Sequence, residues 1–389
     1  MMAMIEKEGQ ENSVIDGEIE SVEVNHPAKE VDAEVQLEES TAEEEPVAGE
    51  ETTDKLGIND LSEVGEETLE DEEPKIPAPQ VVYQTQVSNE QYSVIGASLL
   101  GRSHLREEMP CQDYHLFEDL GSGWQVYIVS DGAGSAKESH RGSKTTCTLL
   151  MRSVKRILEK TNWQADGALP SEMDWNIEFQ NLCRGVKGLM EEQVESLDEP
   201  VQPKDFNATL MLLIVAPEGM LVGHIGDGRM GYQDMNGNWH SLITPHKGEE
   251  ANMTVFLMNK WDVPRMPALK MSGVYVPETR KVNERPQKVV IMTDGCENFS
   301  WLCVGLDADL GIYRDRNQPF AGFLNPLFDC MRDTEDKDKV EVFASFINAA
   351  NGLCVSEQDD RTMIIGDYGL QRKECPDTAE GQDDSPSQD

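Results

Sequence analysis

The 389-residue sequence is short of aromatic and of basic residues. Aromatic side chains make up 6% of it, and 33 lysines and arginines stand against 74 aspartates and glutamates, which gives a formal net charge of −41. A chain of this charge is repelled by nucleic acid phosphates, so nucleic acid is excluded as an expected partner. The shortage of aromatic residues is greatest at the start, where none precedes Tyr83.

Long apolar runs and paired cysteines are also missing. No stretch approaches the roughly 20 apolar residues that a membrane helix needs, and the first residues lack the basic and apolar regions of a signal peptide. None of the eight cysteines forms a C-x-x-C pair, and no cysteine–histidine cluster has the spacing of a zinc site. We therefore expect a cytoplasmic protein with reduced thiols and no membrane partner.

Composition divides the chain into three parts. Residues 1–80 carry 26 acidic and 4 basic residues, a local net charge of −22, and end in the Pro-rich stretch PKIPAPQ. Such a segment buries too little apolar surface to offset its ordering entropy, so residues 1–85 are predicted to be a disordered acidic tail and linker. This tail is either solubilising, or a docking or autoinhibitory segment. Residues 88–370 are long enough for one large core, and residues 371–389 form a polar C-terminal tail.

Apolar and β-branched runs between turn residues predict six strands in the central part. They are Tyr92–Leu99, Trp124–Ser130, Ala208–Val215, Met220–Ile225, Lys288–Thr293 and Thr362–Ile365. Apolar residues that recur on one face predict three helices, at Ser143–Lys160, Trp175–Leu197 and Val340–Ala350. This order indicates a layered domain of mixed strands and helices rather than a barrel.

Aspartates stand at or just beyond the ends of these strands. They are Asp131 in WQVYIVSDGAGS, Asp227 in LVGHIGDGRM, Asp294 in KVVIMTDGCEN, Asp359 in SEQDDRTMII and Asp113 in CQDYHLF. One Asp-Gly step alone is more often a plain turn. Several converging carboxylates, however, repel one another unless cations neutralise them, and Mg²⁺ or Mn²⁺ prefers such oxygen ligands. Two such ions lower the pKa of a bridging water and bind the oxygens of a phosphoryl displacement.

The motifs DGAGS, FNATL, IGDGRM, TDGCEN and DDRTMI follow the order found in the PP2C (PPM) family of metal-dependent protein phosphatases. The sequence is most similar to the compact bacterial branch, and the resemblance covers about residues 90–368. It implies an α+β fold, a four-layer αββα sandwich of two mostly antiparallel sheets flanked by helices. It also implies a serine/threonine phosphatase that hydrolyses phosphoproteins with water activated by two Mn²⁺ or Mg²⁺ ions. A cognate Ser/Thr kinase as partner, and a place in signal transduction, are implied in the same way.

The resemblance further implies roles for single residues. Asp131 resembles the aspartate that bridges both metals, and Gly132 resembles the residue whose backbone carbonyl binds one of them. Asp294 and Asp359 resemble the other direct carboxylate ligands of the two ions. Asp227 resembles a ligand of a third, more weakly held metal.

Around this set the sequence departs from the family pattern. Asp113 resembles an acid that holds metal-bound waters, but Gln112 replaces the glutamate usual before it. Ala133 stands where larger relatives carry a histidine that protonates the leaving alcohol, and Glu108 stands where the family has its phosphate-binding arginine. Nearby candidates for phosphate binding and catalysis are Arg102, Arg106 and His104. These departures leave an alternative open, a pseudophosphatase that binds phosphoproteins as a scaffold.

Two further features carry expectations. His224 lies inside an apolar strand and is predicted to be a core residue rather than a metal ligand. Residues 228–287, rich in Pro, Gly, Met and charged residues, are predicted to form a lid or substrate-binding flap. Within that stretch Asn252 and Thr254 resemble positions of the bacterial branch, without an assigned role.

Overall fold

The computed structural model describes residues 78–246, 254–259, 277–307, 312–349 and 357–369. The predicted acidic tail before residue 78, the polar C-terminal tail and residues 247–253 and 260–276 of the predicted flap, which include Asn252, lie outside the described residues. The prediction of a flap over residues 228–287 needs a correction, because Arg229–Gln233, Trp239–Ser241 and Glu278–Val282 are strands of the two large sheets. All described residues belong to one compact unit that begins at Asp71. Within them, no helix combines the length and the apolar character needed to cross a lipid bilayer.

Thirteen strands occur in the described part of the chain. They are β1 Val81–Ser88, β2 Ser93–Leu99, β3 Tyr114–Asp119, β4 Gln125–Ser130, β5 Leu210–Ala216, β6 Gly219–Ile225, β7 Arg229–Gln233, β8 Trp239–Ser241, β9 Glu278–Val282, β10 Lys288–Met292, β11 Trp301–Asp307, β12 Ile312–Pro319 and β13 Arg361–Asp367. The helices are α1 Arg102–Arg106, α2 Ser139–Thr161, α3 Trp163–Asp166, α4 Glu172–Glu195, α5 Glu297–Ser300, α6 Ala321–Asp333 and α7 Lys339–Ala349.

All six predicted strands and all three predicted helices are present, with ends displaced by a few residues. The predicted strands correspond to β2, β4, β5, β6, β10 and β13, and the predicted helices to α2, α4 and α7. The predicted boundary between the N-terminal linker and the folded domain needs a correction. Strand β1 begins at Val81 and pairs with β2 along its length, so residues 81–85 belong to the sheet and not to the predicted linker.

The strands form two large antiparallel sheets and a separate hairpin. The first sheet has the order β1-β2-β13-β10-β7-β8, the second has the order β3-β4-β5-β6-β9, and β11 pairs with β12 alone. Every strand pairing among the described residues is antiparallel.

Three apolar clusters show how the layers stack. One contains residues of both sheets, such as Val129 and Ile364, and therefore lies between them. A second joins the second sheet to α2 and α4, and a third joins the first sheet to α6 and α7. The predicted α+β fold, a four-layer αββα sandwich, is confirmed. Close packing of α4 explains Gly223 in β6, where a Cβ atom would meet the Phe179 ring at 2.3 Å.

The antiparallel register brings the acidic motifs to one end of the sandwich. In the first sheet, Leu99 at the end of β2 is opposite Arg361 at the start of β13. Met292 at the end of β10 is opposite Met363. In the second sheet, Ser130 at the end of β4 is opposite Tyr114 at the start of β3. The segments just beyond these strand ends carry Asp113, Asp131, Asp294 and Asp359.

Candidate metal centre

Asp131 is fixed by the start of β5. Its backbone N–H donates to Thr209 Oγ1 at 2.9 Å, and its carbonyl accepts from the Thr209 N–H at 2.7 Å. Thr209 itself is buried, with 1% of its surface exposed. The aspartate therefore leaves a rigid strand end in one fixed direction, as a metal ligand requires.

Gly132 follows in a backbone position that has no room for a side chain. A Cβ atom there would lie 2.7 Å from both Gln112 O and Ser139 O. The residue forms a β-bridge with Ala208, which continues the contact between β4 and β5. A glycine is needed because three backbone segments approach one another at this point. Its role as a carbonyl ligand stays a prediction.

Thr293 links Asp113 to the segment that bears Asp294, at the end of β10. Asp294 begins a short 3₁₀ turn directly after Thr293. Thr293 Oγ1 donates to Asp113 Oδ2 at 2.8 Å and accepts from the Thr362 N–H at 3.0 Å. The hydroxyl of Thr293 thus links the Asp113 loop to the strands that bear Asp294 and Asp359. Asp113 is buried, with 2% exposure.

Asp360, beside the predicted ligand Asp359, holds the loop that precedes Asp113. Its Oδ1 accepts from the Gly101 N–H and its Oδ2 from the Gln112 N–H, both at 2.6 Å. The same Oδ1 lies 2.9 Å from His104 Nδ1. Asp360 is 2% exposed, whereas Asp359 is exposed to solvent. Asp360 therefore positions backbone, while Asp359 remains accessible to a ligand.

Asp227 lies beyond the end of β6, where its carboxylate accepts a hydrogen bond from the Thr254 hydroxyl. The preceding Gly226 is held by His246 in both directions. The Gly226 N–H donates to His246 Nδ1 at 3.3 Å, and the His246 N–H donates to Gly226 O at 2.8 Å. Thr254, to which the sequence assigned no role, thus contacts the predicted metal ligand Asp227.

The pKa values of these acids are raised, as expected for carboxylates that lie close together. Burial, and then the charges of Asp113, Asp294, Asp359 and Asp227, raise the pKa of Asp131 well above its usual range. Burial, followed by Asp227 and Asp359, raises the pKa of Asp294 to about 7. The structure thus brings all five predicted acids into one electrostatic cluster.

The donor set of this cluster fits divalent metal ions. Its members are carboxylates held on rigid strand ends, and their mutual repulsion is the charge that two hard cations would neutralise. His104, Asp359 and Asp360 also present potential ligand atoms within 4.8 Å of one another. Asp131, Gly132, Asp294, Asp359 and Asp227 are the residues that would hold such ions.

Helix α1 places the predicted phosphate-binding candidates beside Asp359. The Ser103 N–H and hydroxyl donate to Gln358 O at 3.0 and 2.7 Å. Arg106 donates from its guanidinium to Gln358 Oε1 at 3.0 Å and is otherwise exposed. Glu108, in the position of the family's arginine, is exposed and has a left-handed backbone with φ of 54°. The hydrogen bond to Gln358 therefore places Arg106 at the solvent-exposed rim of the acid cluster.

A second group of potential ligand atoms, of His224, His246 and Glu278, is a poor metal site. The two imidazole rings are stacked, with centroids 4.2 Å apart and planes inclined by 26°. A metal lies in the plane of each ligating imidazole, which two stacked rings do not allow for one ion. His224 Nε2 is 2.9 Å from Thr244 O, and burial lowers its pKa, as expected of the predicted core residue.

Several functional contacts had no signal in the sequence. Asp360 occupies the family's asparagine position, and only the fold shows that two backbone N–H groups require both of its oxygens. Thr293 directly precedes the Asp294 motif, so its hydrogen bond to Asp113 is the contact that the sequence motifs could most readily have indicated. Thr254 reaches Asp227 across a stretch of chain that no local pattern specifies.

Comparison with known proteins assigns the family. The sequence model of the protein phosphatase 2C family matches residues 100–343, more than half of the chain. Serine/threonine-protein phosphatase 3 of Escherichia coli (strain K12) is 26% identical over an alignment of 284 residues that covers 70% of this chain and 97% of that protein. The match to the family model ends before Asp359, which the pairing of β13 with β10 nevertheless brings to the cluster.

Solved structures with a similar course of chain include phosphatases. Serine-threonine phosphatase 2C from Toxoplasma gondii has a TM-score of 0.48 and 13% identity, covering 75% of this chain and 99% of that one. The catalytic domain of PstP, in complex with two manganese ions, has a TM-score of 0.40 and 15% identity, covering 71% and 97%. RsbX, in complex with magnesium, has a TM-score of 0.41 and 14% identity, covering 73% and 99%. Because these TM-scores lie below 0.5, the assignment rests on the family match.

The family match defines the class of protein, a metal-dependent phosphatase, and the acid cluster and the αββα fold agree with it. The chain belongs to the protein phosphatase 2C family. The predicted enzyme class, a protein serine/threonine phosphatase, and the predicted dependence on Mn²⁺ or Mg²⁺ are confirmed as those of the family.

Proposed function

We propose that the five clustered aspartates are the catalytic metal centre, at which the chain hydrolyses phosphoserine and phosphothreonine on proteins. The convergence of these carboxylates from several strand ends carries this proposal, because they raise one another's pKa and divalent cations would neutralise that repulsion. When bound, two divalent ions would supply a Lewis acid that lowers the pKa of water and neutralises phosphoryl charge.

The remaining groups have distinct proposed tasks. Asp113, held by Thr293, accepts hydrogen bonds from waters on the inner side of the cluster. Arg106 contributes a planar guanidinium that matches two phosphate oxygens at the rim. His104, whose Nδ1 lies 2.9 Å from Asp360 Oδ1, donates a proton to the leaving alcohol in place of the family's histidine, which Ala133 replaces here.

The setting in cells is proposed on separate grounds. The substrates are phosphoproteins, and a Ser/Thr kinase acting on the same proteins would be the counterpart in signal transduction. A cytoplasmic location is supported by the cysteines, since the six in the described residues form no disulfide. Co-purification of a kinase, or its absence, tests the partner directly.

The test is hydrolysis of a phosphothreonine peptide by the full-length protein. We expect activity with Mn²⁺, loss of activity with a chelator, and loss in Asp131→Ala and Asp294→Ala. Asp198→Ala, which removes an exposed carboxylate outside the cluster, is the matched control and keeps activity. Full activity in either cluster variant would refute the assignment of the centre.

The sequence departures motivate the pseudophosphatase alternative, but no finding of the structure or of the comparisons favours it. The acid set is complete, and its members converge in space. Calorimetry distinguishes the two functions. A pseudophosphatase would bind the phosphopeptide but would neither bind manganese nor hydrolyse the peptide.

A further inference from the structure

A series of buried polar side chains leads from Asp113 into the layer between the two sheets. Asp113 Oδ2 accepts a hydrogen bond from Thr293 Oγ1 at 2.8 Å. Thr362 Oγ1 lies 2.8 Å from Ser98 Oγ, and Ser98 Oγ lies 2.9 Å from His115 Nδ1. Each of these residues is at most 3% exposed. Their hydrogen bonds are therefore made to one another rather than to solvent.

The strand register brings the members of this series together. Ser98 on β2 is opposite Thr362 on β13 in the first sheet. His115 lies on β3 of the second sheet and reaches across the layer to Ser98. Gly96 leaves room for the imidazole, because a Cβ atom there would lie 3.0 Å from His115 Nε2. The ring is thus held with Nδ1 toward Ser98.

Asp113 depends on the hydrogen bonds that it receives. Burial, followed by the charges of Asp360 and Asp359, raises the pKa of its carboxyl well above the usual range. Hydrogen bonds from the hydroxyls of Thr293 and Thr362 oppose this rise. The ionised carboxylate, which accepts from waters in the proposed function, is therefore favoured when both hydroxyl protons point toward it.

The single proton of each hydroxyl fixes the direction of each hydrogen bond. Because Thr362 donates its only proton to Asp113, the bond between Thr362 and Ser98 must be donated by Ser98. The Ser98 proton is then used, so His115 Nδ1 must donate to Ser98. Burial lowers the pKa of His115 to about 4, so its imidazole is neutral near pH 7 and carries only this one N–H.

The other ring nitrogen agrees with this direction. His115 Nε2 is buried and has no hydrogen-bond partner among the described residues. If the bonds ran the opposite way, Nε2 would carry the proton, and a buried N–H without a partner is rare in folded proteins. With the proton on Nδ1, no buried N–H of this ring is left without an acceptor.

We propose that His115 is a positioning residue of the metal centre, whose Nδ1–H orients the Ser98 and Thr362 hydroxyls toward Asp113. The Thr362 proton then stays directed at Asp113, and the carboxylate keeps its free oxygen positions for water. The effect on water rests on the proposed function, whereas the protonation of the His115 ring does not depend on turnover.

Nitrogen-15 NMR of the histidine side chains in the full-length protein reads the position of the proton directly. Mg²⁺ is the metal for this measurement, because it is diamagnetic. The ring signals that disappear in His115→Asn are those of His115. We expect the proton on Nδ1. A proton on Nε2 overturns the proposal, whether or not the protein is active.

Two variants of His115 separate positioning from packing. In His115→Asn the side-chain amide N–H takes the place of Nδ1–H, whereas His115→Leu fills similar space without a donor. With a phosphothreonine peptide and saturating Mn²⁺, we expect kcat to fall by about tenfold or more in His115→Leu and to be largely retained in His115→Asn. The KM of the peptide should change in neither variant, because Asp113 acts on water and not on the peptide.

Thermal melting of each variant checks that it is folded. If His115→Leu does not fold, Ser98→Ala takes its place, since it interrupts the series by removal of one hydroxyl and should lower kcat in the same way. A kcat that falls equally in His115→Leu and His115→Asn, or in neither, overturns the positioning role. An inactive wild-type protein with the proton on Nδ1 would count only against the proposed function.

Discussion

Thr209 illustrates how one buried hydroxyl holds a proposed metal ligand. Its Oγ1 accepts the Asp131 N–H at 2.9 Å. We predict that Thr209→Val leaves this N–H without a partner, which costs about 1–3 kcal/mol of the free energy of unfolding. Because Asp131 is then less well oriented, Mn²⁺ affinity should fall by about 10–100-fold. Urea unfolding and manganese titration measure the two effects.

A matched control is available on α2. Thr146 is fully buried, and its Oγ1 has no hydrogen-bond partner among the described residues. Thr146→Val makes the same chemical change without loss of a bond, so stability and Mn²⁺ affinity should not fall. Equal losses in the two variants would show that the Thr209 contact has no special role.

The raised pKa of Asp294 predicts how the stability of the metal-free protein depends on pH. Its pKa of about 7 lies above the ordinary value of 3.8, so the folded state retains a proton that the unfolded chain has released. The stability contributed by this proton is complete below about pH 3.8 and is lost as the pH rises through about 7. In chelator, the melting temperature should therefore fall between pH 5.5 and 8, and less steeply in Asp294→Asn.

Manganese supplies the control for this pH dependence. Added Mn²⁺ should raise the melting temperature at pH 8 in the wild type, because cations relieve the repulsion among the carboxylates. A melting temperature that rises with pH in chelator would contradict the crowding of charges in this cluster.

Motif order identified the individual acids, but not what holds them. Asp131, Asp227 and Asp294 each follow an apolar run, so sequence alone could place them at strand ends. The hydrogen bonds that Asp360 accepts from the Gly101 and Gln112 N–H groups join residues far apart in the chain. Such long-range contacts leave no local periodicity, and for this reason the sequence could not predict them.

At the scale of elements, Arg229 connects three parts of the chain around the metal centre. It is fully buried, and its guanidinium donates to Glu297, Asp315 and Asn317 at 2.7 to 3.0 Å. Glu297 begins α5, just after Asp294, while Asp315 and Asn317 lie on β12. Arg229 therefore joins β7, which follows Asp227, to α5 and to the hairpin of β11 and β12.

Removal of this arginine should be strongly destabilising. Arg229→Met removes the charge-assisted hydrogen bonds to Glu297 and Asp315, which we expect to cost about 1.5–3 kcal/mol of the free energy of unfolding. Arg316→Gln, at an exposed position of β12, should change this free energy by less than about 0.5 kcal/mol. Chemical denaturation gives both values, and similar values in the two variants would contradict the linking role of Arg229.

A strand with a continuous apolar run could be predicted from the sequence, whereas a strand in which half-buried and exposed residues alternate could not. Strand β10 is buried throughout, and the continuous apolar run KVVIM revealed it. Strand β1, with the sequence VVYQTQVS, alternates half-buried and exposed residues and follows a charged, Pro-rich stretch. That neighbourhood favoured a linker, whereas pairing with β2 makes the segment an edge strand.

At the scale of the whole molecule, charge is concentrated at the N-terminal side. Residues 1–80 carry a net charge of −22 out of −41. Because the first sheet begins at Val81, we predict that deletion of residues 1–77 leaves Mn²⁺-dependent hydrolysis of p-nitrophenyl phosphate unchanged and lowers solubility. Steady-state kinetics and the concentration at precipitation test this. A marked rise in kcat on deletion would instead indicate an autoinhibitory tail.

The central claim is that the aspartates at the joined strand ends bind two divalent ions. Calorimetric titration of the full-length protein with Mn²⁺ near pH 7.5 tests it most directly. We expect saturable binding at more than one site in the wild type and in Asp198→Ala, and loss of this binding in Asp131→Ala, because the charges of the other four aspartates all act on Asp131. An unchanged isotherm in Asp131→Ala would contradict the account.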